Sequence, residues 1–311
     1  MIFKKVWIML TLSMMSLIAL YFIQQNFQEK IDTPEPEEGV ASFQLEKARA
    51  ETGDATSQHN LGVMYATGEG VEQDFTEAAK WFQLAADQGF SEAQNNLGIL
   101  YKAGVGVEKD MEKAVAFLTK AAKQGNGDSQ MILGDLYWYG QEVEQSDQLA
   151  MEWYLAAAQS GQPAALYNIG YMFEYGLGTE PSNLLAAHWY QLAVEQDNSA
   201  AMVALGKFYA AGNGVQKDEA RAFELWSVAA SRGVEEGQMN VAMAYKEGKG
   251  VEKNNVMALF WMGVAASSEF PPAIEALDTF AKEVGDEEYN RLMQEVKKVL
   301  ETETIQEGQV Q

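Results

Sequence analysis

The sequence predicts an all-α protein, a stack of helix–turn–helix repeats behind an N-terminal transmembrane helix. Three observations lead there. The chain superposes on itself at a shift of 36 residues, six times in register, from Asp54 to Glu269. Within each copy, apolar residues recur at helical spacing and are punctuated by glycines and helix-capping residues. Ahead of the repeats, residues 6–28 carry no charge and follow Lys4 and Lys5.

Residues 1–5 read as a cytoplasmic tip and residues 6–23, VWIMLTLSMMSLIALYFI, as the membrane anchor. At about 1.5 Å per residue the run spans roughly 27 Å, close to the hydrocarbon thickness of a bilayer. Lys4 and Lys5 precede it, and Glu29, Asp32, Glu35, Glu37 and Glu38 follow. The positive-inside rule then sends the rest of the chain across. The missing cysteines and Asn-x-Ser/Thr sites, with so simple an anchor, suggest a bacterial inner membrane and a periplasmic repeat region. The alternative is a cleaved signal peptide that leaves the chain secreted to the periplasm. Such a peptide has a shorter apolar region and a small-x-small exit, whereas here the exit holds Leu20, Tyr21, Phe22 and Ile23. Residues 24–40, acidic and with Pro34 and Pro36, read as a stiffened linker.

Residues 41–53 contain FQLEKARAETG, which aligns with the second helix of a repeat and reads as an N-terminal cap helix. The six repeats occupy 54–269. In each, a first helix, A, carries an apolar column (Leu61, Leu97, Leu133, Ile169, Leu205, Val241) beside a small one (Gly62, Gly98, Gly134, Gly170, Gly206, Ala242). Glycine inside a helix costs about 1 kcal/mol relative to alanine, so this column implies close helix approach. Gly68 and its five equivalents end helix A. Asp74, Asp110, Ser146, Ser182, Asp218 and Asn254 are all preferred N-caps and fix the start of the second helix, B. Ala78 and Ala85 recur as invariant alanines, with Trp81, Phe117, Trp153, Trp189 and Trp261 expected to fill the space between helices. Gly89, Gly125, Gly161 and Gly233 end helix B. Residues 270–302 read as C-terminal capping helices, the second striped by Tyr289, Leu292, Val296 and Leu300, and 303–311 as a tail.

The stretch QNNLGILYKAGVGVEKDMEKAVAFLTKAAKQG, with its five companions, resembles the Sel-1-like repeat, a relative of the tetratricopeptide repeat. Two copies depart at the turn: Glu142 replaces the second glycine in repeat three and Thr179 replaces the valine in repeat four. A helix pair cannot bury its own apolar face, so the repeats must stack. The resemblance implies a right-handed superhelical α-solenoid with the A helices on its concave side. It also implies a protein-interaction scaffold or adaptor, or a periplasmic regulator restraining a membrane signalling partner.

Composition narrows the chemistry. Asp and Glu number 45 against 22 Lys and Arg, a net charge of −23, so a nucleic-acid partner is not expected. Without cysteine, and with only His59 and His188, thiolate and histidine metal sites have no material. No metal and no cofactor are therefore expected. The GVGVEKD loops lack a Walker lysine–serine pair and follow helices, not strands. An enzyme acting on cell-wall or β-lactam material is a further reading, but no serine–lysine or paired-carboxylate motif supports it.

A protein or peptide partner is the expectation, bound along one stripe of the A helices. Asparagine recurs there as Asn60, Asn96, Asn168 and Asn240. Such a ladder grips an extended peptide, bonds neighbouring helices, or simply descends from one ancestral repeat. Aromatics gather on the same stripe at mid-array: Tyr139 in repeat three, with Trp138 adjacent on helix A, and Tyr171 and Tyr175 in repeat four. Tyr and Trp are enriched at binding hot spots, though they could equally pack between repeats.

Overall fold

A computed structural model describes residues 36–307. The expected tip, the anchor at 6–23 and most of the linker lie outside the described residues. Among those described, no helix is long and apolar enough to cross a membrane. The described chain is helical throughout: α1 (Pro36–Glu51), α2 (Ala55–Thr67), α3 (Phe75–Asp87), α4 (Ser91–Ala103), α5 (Met111–Lys123), α6 (Gly127–Tyr139), α7 (Asp147–Gln159), α8 (Pro163–Tyr175), α9 (Asn183–Glu195), α10 (Ser199–Ala211), α11 (Glu219–Ser231), α12 (Glu235–Glu247), α13 (Asn255–Ser267), α14 (Pro271–Val284) and α15 (Asp286–Glu307). Two boundaries differ from expectation. Helix α1 begins at Pro36, inside the stretch read as linker, because proline is accepted in a helix's first turn. Helix α15 continues to Glu307, past the expected end at 302.

The helices fall into two compact units, divided after Gln162. The first holds α1 and three repeats; the second holds three repeats and the two C-terminal helices. In both, the local chemistry of each repeat is the same. The N-cap column works as the residue types require: Asp110 accepts from Lys113 N at 3.0 Å, Ser182 from Leu185 N at 3.3 Å and Asp218 from Arg221 N at 2.9 Å. The cap residue's own N–H reaches back to helix A, as in Asp74 N to Tyr65 O at 2.8 Å and Asp218 N to Tyr209 O at 2.9 Å, which closes the turn. The turn's second glycine packs against the preceding repeat: a Cβ on Gly106, at φ 71°, would lie 2.2 Å from the Phe75 carbonyl oxygen. At the equivalent place in repeat three, Glu142 does not take positive φ, so that turn follows another path, and Glu142 instead accepts from Lys109 Nζ at 2.9 Å.

The helix-A glycines admit a side chain of helix B, but not the one expected. The tryptophan column at Trp81, Trp153, Trp189 and Trp261 is only half-buried. The notch is filled one residue further on, by Phe82, Leu118, Tyr154, Tyr190 and Trp226. A Cβ at Gly134 would meet Tyr154 at 2.5 Å, and one at Gly170 would meet Tyr190 at 2.6 Å.

A second interior feature joins successive repeats. Gln58, Gln94, Gln130 and Gln238 are buried on helix A and donate to the carbonyls of Ala50, Ala86, Ala122 and Ala230 at 2.9–3.3 Å. Gln88 and Gln124 then donate to the side-chain oxygens of Gln58 and Gln94, each at 2.7 Å. The side-chain oxygens of Gln130 and Gln238 have no partner. Thirty residues on, where glutamine would supply the donor, stand Ser160 and Ser268, which are too short.

Candidate functional site

The expected aromatic stripe divides between the two units. In the first, α6 presents Tyr139, 62% exposed, beside half-buried Trp138. One turn earlier on α6, Asp135 accepts from the Tyr154 hydroxyl at 2.7 Å. Tyr154 is the side chain seated in the Gly134 notch, so its ring crosses the helix pair and its hydroxyl emerges near the stripe. Burial pushes the Asp135 carboxyl above its ordinary range, opposed by the Tyr154 hydrogen bond and by Lys102.

In the second unit the stripe is a tyrosine cluster on α8. Tyr167, Tyr171 and Tyr175 are successive i, i+4 neighbours, so one helix face carries all three. Ring centroids are 6.5 Å apart for Tyr167–Tyr171 and 4.5 Å for Tyr171–Tyr175, the latter inclined at 40°. Tyr175 is 57% exposed and Tyr171 half-buried. Beneath them Tyr190, wholly buried, packs on Tyr167 at 5.6 Å and edge-on against Phe208 at 5.5 Å. Its hydroxyl donates to Glu174 Oε2 at 2.7 Å. Burial raises the Tyr190 phenol well above its usual pKa, and the Glu174 hydrogen bond and charge raise it further. The Glu174 charge, then burial, raises the Tyr175 phenol.

The four asparagines occupy different environments. Asn60 is exposed. Asn96 is half-buried, with its amide nitrogen 3.1 Å from His59 Nε2. Asn168 is half-buried one turn before Tyr171. Asn240 lines a groove of about 230 Å³ with Ala210, Trp226, Met243 and Glu247, and its amide nitrogen is buried there without a hydrogen-bond partner. The column is thus not a uniform ladder. The His59 ring lies 5.6 Å from Phe82 and 5.1 Å from Phe90.

Sequence reasoning missed Glu174, Asp135 and the two buried tyrosines that hold them. The signal was in the columns. A hydroxyl-bearing ring occupies the notch position only in repeats three and four, within Phe82, Leu118, Tyr154, Tyr190, Trp226 and Met262. In those two repeats the hydroxyl bonds a carboxylate on helix A of the same repeat, Asp135 or Glu174. Among the described residues, no group of His, Asp and Glu is placed to hold a metal ion.

The Sel1 repeat family matches this chain at residues 55–90, 91–126, 127–162, 163–198, 199–234 and 235–269. The fold is similar to the crystal structure of a protective antigen present in uropathogenic Escherichia coli strains, described as displaying an SLR fold. The two are 28% identical with a TM-score of 0.76, over 87% of this chain and 57% of that one. The chain therefore spans little more than half of that relative's length. It is also similar to a Sel1 repeat protein from Oxalobacter formigenes, at 31% identity and a TM-score of 0.58, over 68% of this chain and 85% of that one. No curated protein is a significant match.

Proposed function

The chain belongs to the Sel1 repeat family, and from that premise we propose that it is a scaffold or adaptor that binds a protein or peptide along its A helices. Family membership supports protein–protein interaction as the general role. The observation that carries the specific reading is the exposure of large aromatic side chains on the A-helix stripe, Tyr139 at 62% and Tyr175 at 57%. Exposed tyrosine offers large contact area at low entropic cost. No catalytic role enters this reading. We further propose that residues 6–23 anchor the protein in a bacterial inner membrane with the repeats in the periplasm. The support is the uncharged run after Lys4 and Lys5. In that setting the alternative partner is a membrane signalling protein restrained by the repeats.

Two experiments test these readings. A photoreactive amino acid at Tyr175 of the full chain is expected to cross-link a protein partner, while one at Leu84, exposed on α3, is not. Cross-links at Leu84 alone would move the binding surface to the B helices. For topology, alkaline phosphatase fused after Glu38 is expected to be active. A silent fusion beside an active cytoplasmic reporter would reverse the orientation.

A further inference from the structure

The tyrosine cluster carries a more specific inference about what it binds, one that rests on the helix-A reading above. On α8, Glu174 lies between Tyr171 and Tyr175 in sequence and within one helical turn of both. Its Oε2 is fixed by the buried Tyr190 hydroxyl at 2.7 Å, so the carboxylate is held in place before any partner arrives. An ionised carboxylate has about four acceptor sites, so it can accept more than that one bond. Among the described residues, no lysine or arginine of this chain forms an ion pair with Glu174. Lys207, which holds the place of Tyr171 in the next repeat, is engaged by Glu236.

Elsewhere the chain supplies cations to its own rings. Lys113 sits 5.2 Å from the Tyr101 centroid, Lys120 5.0 Å from Phe117 and Lys246 5.6 Å from Phe280. Among the described residues, no lysine or arginine lies over Tyr175. A largely exposed ring, Tyr175 at 57%, beside a fixed carboxylate is the arrangement that attracts an ammonium or guanidinium group. With 45 acidic residues against 22 basic ones, the chain as a whole also steers cationic segments toward itself. We propose that the Tyr171–Glu174–Tyr175 face binds a lysine or arginine side chain carried by a basic segment of a partner protein. The raised phenol of Tyr175, whose first cause is the Glu174 charge, agrees with a ring lying in a negative field.

The test is selection of a displayed random-peptide library on the full chain, followed by titration of the enriched peptides. Those peptides are expected to carry lysine or arginine. Replacing that arginine with citrulline, of the same shape but uncharged, is expected to weaken binding at least tenfold. Glu174→Gln keeps an acceptor for Tyr190 and removes only the charge; it and Tyr175→Ala are each expected to weaken binding by a similar factor. Glu195→Gln, on α9, is expected to leave it unchanged. Helical circular dichroism of each variant checks the fold. If citrulline peptides bind as tightly while Tyr175→Ala still weakens them, the surface reading stands and the cation reading falls. Loss on Glu195→Gln equal to that on Glu174→Gln would reduce the effect to diffuse charge attraction and also overturn the proposal. Peptides that bind all variants equally, or no enrichment at all, would overturn both readings.

Discussion

Asp135 and Glu269 are each held where their own chemistry resists, and each yields a prediction. Burial raises the Asp135 pKa above 3.8, so the folded state takes up a proton more readily than the unfolded one. Stability therefore falls as pH rises from the unfolded pKa through the folded one, and the cost is fully present above both. Asp135→Asn keeps an acceptor for Tyr154 and removes that cost. The variant is expected to be at least as stable as wild type at neutral pH, with the difference shrinking on acidification through the carboxylate range. Urea midpoints across that range check it, and a difference that grows toward acid would refute it. Glu269 sits at φ 58°, in the place where repeats one, two, three and five carry glycine. A left-handed conformation costs a non-glycine residue about 1 kcal/mol or more. Glu269→Gly is expected to stabilise the chain by about that amount, read as a higher thermal midpoint.

At the scale of helices, notch and seam govern how repeats fit. A methyl group at Gly170 would lie 2.6 Å from Tyr190 Cδ1, and Tyr190 is wholly buried and tied to Glu174. Gly170→Ala is expected to cost about 1–3 kcal/mol, as overpacking generally does, and to perturb the tyrosine cluster. An unchanged unfolding curve would mean the ring moves aside freely. The seam predicts the opposite sign. Ser160→Gln supplies the donor that the Gln130 side-chain oxygen lacks, as Gln124 does for Gln94. A satisfied hydrogen bond contributes about 0.5–1.5 kcal/mol, so denaturant resistance is expected to rise. Caps and helix-ending glycines were readable because each acts within a few residues of itself. The notch was read one residue early, because periodicity gives a helix's buried face but not which side chain meets the partner's glycine. The glutamine seam went unread because Leu166 and Met202 interrupt its column and its bonds run to neighbouring repeats.

For the molecule as a whole, six repeats in one register made the all-α repeat fold legible, because each copy restates the same local rules. The stripe was legible only in part. Tyr171 and Tyr175 stand out by i, i+4 spacing alone. Glu174 gains its role from Tyr190, 16 residues away on another helix, which no local pattern reveals. On the proposed reading, binding falls where the chain deviates from its repeat, at the exposed rings and fixed carboxylate of repeat four. The central claim, that a protein partner binds the A-helix stripe of repeat four, is tested most directly by calorimetric titration. The partner cross-linked at Tyr175 would be titrated against wild type and the Tyr171→Ala/Tyr175→Ala double variant, with helical content measured on both. The account predicts affinity weakened by about 2 kcal/mol or more, as for interface hot spots, at unchanged helicity. Equal affinity of the two proteins would contradict it.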